Sequence, residues 1–341
     1  MKKDIVYIDS IKGIGALIIA FYHISGLIGI PNSSVSFINR IMQILSDIGY
    51  IPVEMFFFFS GYLMLYNYSE KIKNITFLDY IKRRVGKLYP FLFVNIIMGS
   101  LYILVIGGHL DLYNITYNLL FLQGGYFLGG GDFRIDSIGG GTWFLSPLIL
   151  SYFLFFYICK YKDEEKAFGL YSLIVLLGIS IMKISWNFPI VNGYMMRGLI
   201  GFFMGCVFYS IVKRYGFKIS RLSLLVMFII SILYISLISS GKYSSTLDFI
   251  IITDLILMPC IVLIFENITW MRKIFSSRIL KKIGEFSLPL FFLNLPVGYF
   301  FELFISNRFE IHLGLQYVLY FISLFSLSMI FVFMFRRLRI T

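Results

Sequence analysis

Residues 11–30 read IKGIGALIIAFYHISGLIGI, an apolar run whose only basic side chains are Lys12 at one end and His23 well inside. Twenty residues of helix rise about 30 Å, the thickness of a bilayer's hydrocarbon core. The run follows Met1-Lys2-Lys3, so a cleaved signal peptide is the competing reading. Asp9 and Lys12 break up the charged leader that such a peptide needs, and no small-residue cleavage site follows. Residues 11–30 therefore read as a retained membrane helix.

Working outward, similar runs recur near 47–67, 88–107, 142–160, 167–185, 195–212, 221–240, 246–266, 284–304 and 313–335. Pro289 and Pro296 predict a kink in the ninth. The chain is 59% hydrophobic and 14% charged, with a mean hydropathy of +0.85. No water-soluble core could hide that much apolar surface. The expected fold is an all-α membrane protein of about ten transmembrane helices, forming one domain over residues 1–341 with no fused soluble domain.

The net charge of +12 raises the question of nucleic acid, and its placement answers it. Arg40, Arg134, Lys183, Arg197, Lys242 and Arg308 fall on one side of the alternating loops, counting span edges. The other 24 of the 30 Lys and Arg residues fall on the opposite side, together with both chain ends. Positive loops mark the cytoplasmic face, so both termini are expected in the cytoplasm and the charge reads as topology. Cys159, Cys206 and Cys260 lie far apart inside apolar runs and form neither a disulfide framework nor a metal-ligand pattern.

Ionisable groups within lipid are functional candidates by default. His23 lies about 18 Å of helix rise inside the first span. Lys12 and His23 are eleven residues apart, nearly three whole turns, and so share a face. Glu54, within Val53-Glu54-Met55-Phe56-Phe57-Phe58-Phe59-Ser60-Gly61, is expected at the depth of His23. A carboxylate beside an imidazole would fix its tautomer and raise its basicity for general-base chemistry. A hydrogen-bonded interhelical pair with no catalytic role explains the same spacing.

Lys82-Arg83-Arg84-Val85-Gly86-Lys87-Leu88-Tyr89-Pro90 precedes the third span. Such a cluster serves topology and anionic-lipid contact, or clamps the phosphates of a cytoplasmic ligand. Thr142-Trp143-Phe144-Leu145-Ser146-Pro147 opens the fourth span, and Arg197 opens the sixth from the outer side. The connection over 108–141 holds a short helical stretch and three glycine clusters, which fits a mobile surface loop or a re-entrant piece over a cavity.

Asp9-Ser10-Ile11-Lys12-Gly13-Ile14-Gly15-Ala16 followed by His23 resembles the opening of the acyltransferase-3 family, bacterial membrane enzymes that acylate cell-surface polysaccharides. Further stretches resemble that family in its own order. They are Val53 to Gly61, Arg83 to Pro90, Trp143-Phe144-Leu145, Arg197 with Phe202-Phe203-Met204-Gly205, and Ser287 to Val297. Lys12 stands where the family has an arginine, Asn294 where it has a late histidine, and the glutamate after the tryptophan motif is absent.

The resemblance implies an O-acyltransferase, most simply an O-acetyltransferase, that takes its acyl group from cytoplasmic acetyl-CoA or another acyl-CoA. The acceptor would be a hydroxyl of an extracytoplasmic glycan or glycolipid, and the setting a bacterial cytoplasmic membrane. It casts His23 and Glu54 as catalytic, and Lys12, Arg83, Arg84, Lys87 and Tyr89 as donor-binding. Trp143, Ser146, Arg197, Ser60 and Asn294 fall on the acceptor side. No metal and no nucleic acid enter this scheme. Direct transfer and an acyl-histidine intermediate both fit. The rival is a transporter or flippase with His23 and Glu54 as a proton relay, although no internal repeat supports it.

Overall fold

Thr76 accepts the backbone N–H of Asp79 and so starts the longest helix among the described residues, Phe77–Val105, with Pro90 inside it. Local signals of this kind, added to apolar length, place most helices where the sequence predicts them. The computed structural model describes residues 5–31, 35–124, 138–184, 191–239 and 246–337, and among them there is no strand. The basic residues Lys2, Lys3, Arg134, Lys242 and Arg339 and the glycines Gly125 and Gly129 to Gly131 lie outside the described residues.

In chain order the helices are α1 (Val6–Ile28), α2 (Ser36–Asp47), α3 (Ile51–Tyr68), α4 (Phe77–Val105), α5 (Leu112–Leu119), α6 (Leu145–Tyr161), α7 (Glu164–Ile184) and α8 (Gly193–Tyr215). There follow α9 (Arg221–Ser239), α10 (Thr246–Ile252), α11 (Met258–Asn267), α12 (Thr269–Phe275), α13 (Arg278–Glu285), α14 (Ser287–Phe301) and α15 (Leu313–Arg337). A π turn, Thr253–Leu257, joins α10 to α11 as one span, and a second, Glu302–Ser306, prolongs α14.

Eight of the ten expected spans are helices long and apolar enough to cross a membrane. The other two are modified. The second is a bent pair, α2 and α3, meeting at 52°. The fourth, α6, is 17 residues long. The protein is a multi-pass membrane protein, as its sequence implies.

Two glycines let α3 and α8 touch backbone to backbone. A β-carbon on Gly61 would overlap the Phe202 carbonyl, and one on Gly205 the Phe58 carbonyl. Small residues at such crossings are how helices approach where no hydrophobic force drives them together. Around this crossing Phe57, Phe58, Phe59, Tyr62, Phe155, Phe202 and Phe203 are almost wholly buried.

The connection after α4 is re-entrant. Tyr89 Oη donates to the Leu119 carbonyl at 3.0 Å, and Tyr89 lies sixteen residues before the α4 end, Val105. That is about 24 Å of helix rise back into the bundle. Further along, the Ile138 N–H reaches Asn118 Oδ1 at 3.4 Å, and Gly139 packs against Asn95 and Gly99 of α4. Asn95 spans the gap, donating from Nδ2 to the Phe292 carbonyl of α14 at 2.7 Å. Buried irregular backbone of this kind is satisfied by protein groups, as a membrane interior demands.

Candidate active site

Asn294 lies within α14 and spends its amide N–H groups on its own helix, donating to the carbonyls of Phe291 at 2.6 Å and Leu290 at 3.3 Å. That fixes the amide orientation, so Oδ1 faces α1, where it meets His23 Nδ1 at 2.5 Å. A carbonyl oxygen only accepts, so Nδ1 carries the imidazole proton and the lone pair lies on Nε2. Nε2 makes no hydrogen bond among the described residues, and the ring is half-buried. The loop before α6 covers it. A β-carbon on Gly141, whose φ is +67°, would stand 3.9 Å from His23 Cε1.

The expected His23–Glu54 pair is not formed. Gly15 of α1 packs against Pro52 and Met55, while Tyr22 meets Gly49, so Glu54 lies near the level of Gly15. His23 is eight residues further along α1, about 12 Å of rise. The bend between α2 and α3 causes the offset, because α3 begins at Ile51, inside the bundle rather than at its surface. A direct proton relay between the two residues has no hydrogen bond to run through.

Glu54 is instead the counter-ion of Arg197. Its Oε1 accepts from Arg197 Nε at 2.8 Å and from the Nη2 group as well. Glu54 is fully buried and the Arg197 side chain 13% exposed, so the pair is effectively withdrawn from solvent. The guanidinium carbon lies 4.9 Å from the centre of the Trp143 ring, a cation–π contact. Gly141-Thr142-Trp143 thus joins the two groups, with His23 beside its first residue and Arg197 beside its third. Aromatic rings fill the space around it, Phe144 packing edge-on against Phe291 at 4.6 Å and Phe291 against Phe56 at 5.3 Å.

The basic cluster of α4 divides. Arg83 and Lys87, four residues apart, are exposed on one face. Arg84 turns inward, its guanidinium 4.5 Å above the Tyr68 ring and its Nε buried without a hydrogen-bond partner. Lys12 lies within electrostatic reach of Arg84, with Asp9 at 3.9 Å as its acidic neighbour. An inward arginine with an unpartnered N–H, in electrostatic reach of a second cation, suits an anion.

Three expected ligand contacts are occupied by the fold itself. Ser60 donates to the Phe56 carbonyl of its own helix, and Ser146 Oγ accepts the Gly124 N–H at 2.7 Å. Tyr89 faces Leu119 rather than the basic cluster's exposed side. Asn294, expected on the acceptor side, is the residue that orients His23. Asp254 escaped the sequence reading altogether. It is fully buried in the π turn near Glu54 and Arg197, and the rule that singled out His23 applies equally to it. Among the described residues no group of three or more acidic, His or Cys side chains could hold a metal ion.

No curated protein and no solved structure matches the chain. The family model for an acyltransferase domain, acyltransferase 3, matches residues 5–337. That match takes in α1 with His23, the basic start of α4 and α14 with Asn294, and so the chain belongs to the acyltransferase-3 family of membrane acyltransferases.

Proposed function

We propose that this protein transfers an acyl group, most simply acetyl, from acyl-CoA to a hydroxyl of a glycan or glycolipid outside the cytoplasm. The setting is a bacterial cytoplasmic membrane, with both chain termini inside. The observation that carries this reading is the Asn294–His23 hydrogen bond, which leaves Nε2 as a free base within a membrane acyltransferase.

The chemistry follows from that lone pair. The acceptor hydroxyl attacks the thioester carbonyl while Nε2 takes its proton. The new C–O bond replaces the C–S bond, and the departing thiolate recovers the proton from the imidazolium, leaving an ester and coenzyme A. Lys12 and Arg84 hold donor phosphates, with exposed Arg83 and Lys87 adding to the attraction. Arg197 and Trp143 line the acceptor side.

The test is coenzyme A release by purified protein in lipid, with acetyl-CoA binding read in the same samples. Release that is lost in His23→Ala at equal folded yield is the expected result. Release that survives in the variant keeps the enzyme and removes His23 as its base. Absence of both binding and release overturns the donor assignment.

A further inference from the structure

Three carboxylate oxygens near Arg197 have no hydrogen-bond partner although they are buried: Glu54 Oε2 and both oxygens of Asp254. Buried acceptors are almost always satisfied, so three together point to something they hold. Asp254 belongs to the π turn Thr253–Leu257, and π turns inside helices concentrate at functional positions. It faces α8, with Oδ2 3.2 Å from where a β-carbon on Gly201 would stand. Gly201 is one turn beyond Arg197, so the carboxyl points to the strip of α8 that carries the guanidinium.

The charges around this point are few. Glu54 comes from α3 and Arg197 from α8, and these are the charged groups in electrostatic reach of Asp254 among the described residues. Pro147 of α6 and Phe57 of α3 close the neighbouring strip of α8 at Gly198. Tyr234 of α9 places its hydroxyl 3.0 Å from the Phe249 carbonyl and 2.8 Å from Thr253 Oγ1, one residue before Asp254. Two ionised carboxylates against one guanidinium would leave a net negative charge sealed in the membrane interior. Such a charge is not tolerated uncompensated. A metal cation of the hard, oxygen-seeking kind takes six or more oxygens, far more than three. A proton needs only one or two.

We propose that Asp254 and Glu54 together form an intramembrane proton-binding site that holds one proton on the Asp254 carboxyl. The bound proton balances the cluster, leaves Glu54 as the sole counter-ion of Arg197, and so keeps the guanidinium on the face of Trp143. The proposal stands on the charge count and does not depend on which donor or acceptor the enzyme uses.

Infrared spectroscopy of the whole protein in lipid at neutral pH tests it without reference to turnover. The wild type shows the carbonyl stretch of one protonated carboxylic acid, and the band shifts when aspartate is labelled with carbon-13 at its side-chain carboxyl. Asp254→Asn loses the band. Glu54→Gln loses it as well, because Arg197 then faces a single carboxylate and the charges balance without a proton. The labelling arm needs no variant, so a misfolded substitution does not obscure the answer. A wild type without the band, a band that ignores the label, or one that persists in Asp254→Asn overturns the proposal. Sodium-dependent thermal stabilisation that disappears in Asp254→Asn, in a protein without the band, assigns the site to a metal cation instead.

Discussion

Asn294 Oδ1 accepts the Nδ1 proton of His23 across 271 positions of sequence, and this contact determines which imidazole nitrogen carries the proton. Asn294→Leu removes the acceptor while keeping the volume close. Groups that orient a metal-bound histidine are worth roughly 10–100-fold, and the same scale is expected for one that orients a general base. The turnover number should fall by about that factor, with acyl-CoA affinity unchanged. His23→Ala should cost about 10²–10⁴-fold, the usual range for a general base. A loss of donor binding in Asn294→Leu would mean that the residue supports the fold rather than the base.

Gly141 gives an independent check on the same ring. Its φ of +67° already disfavours a side chain, and a β-carbon would lie 3.2 Å from Leu295 Cδ1 as well as near His23. Gly141→Ala should lower turnover at least tenfold while changing the melting temperature by only a few degrees, an effect of about 1–2 kcal/mol. Equal losses of activity and of folded protein would discard the loop as a wall of the site.

The divided basic cluster predicts unequal arginines. Arg84→Ala should weaken acyl-CoA binding by roughly 10–100-fold, the worth of about 1.5–3 kcal/mol for a hydrogen bond to a charged group. Arg83→Ala, which removes an exposed charge, should weaken it less than about threefold. Titrating acetyl-CoA against both variants in lipid discriminates the two, and equal effects would refute the inward role of Arg84.

Arg197→Met should destabilise the protein by about 3–5 kcal/mol, because Glu54 is left buried without a counter-ion, whereas Glu54→Gln should cost less, because Asp254 then ionises to face Arg197. Removing both, as Glu54→Gln with Arg197→Met, should recover a large part of that stability. Thermal unfolding of the two single variants and the double variant measures the coupling. Recovery of stability without recovery of activity would give the pair a part in the reaction, whereas recovery of both would make it structural.

The glycine crossing separates fold from chemistry. Gly61→Ala forces a methyl group into the Phe202 carbonyl and should prevent a stable bundle, or cost at least about 3 kcal/mol. Gly86→Ala meets nothing within 4 Å inside α4 and should be neutral or stabilising by up to about 1 kcal/mol. Comparable yields and melting temperatures for the two would show that α3 and α8 do not cross as described.

The apolar runs made the helices legible, because length and hydropathy are local properties. His23 and Arg197 were legible as well, since each is an ionisable side chain in a place where lipid penalises it. Their partners were not. Pairing His23 with Glu54 assumed that α3 starts at the membrane surface, and the bend after Asp47 moves its first turn inward. Asn294 stood out only through the resemblance and was expected on the acceptor side; its contact with His23 depends on how it spends its own N–H groups. Asp254 lay within reach of the reasoning applied to His23, in the middle of a long apolar run. The return of residues 108–124 toward Tyr89 has no hydropathic signature, because a re-entrant piece needs only short apolar stretches.

The Asn95–Phe292 hydrogen bond ties α4 to α14 across 197 positions, and it has a consequence for the order in which the protein is made. While the ribosome is still working through the middle of the chain, the Asn95 amide sits in the bilayer without its acceptor, and His23 without Asn294. The first helices therefore enter the membrane as an incomplete bundle, and the contacts of Asn95 and His23 with α14 form only when that helix is inserted. A chain arrested before α14 should be a target for membrane quality control, marked by unsatisfied polar groups on α1 and α4 rather than by any defect in the arrested segment itself.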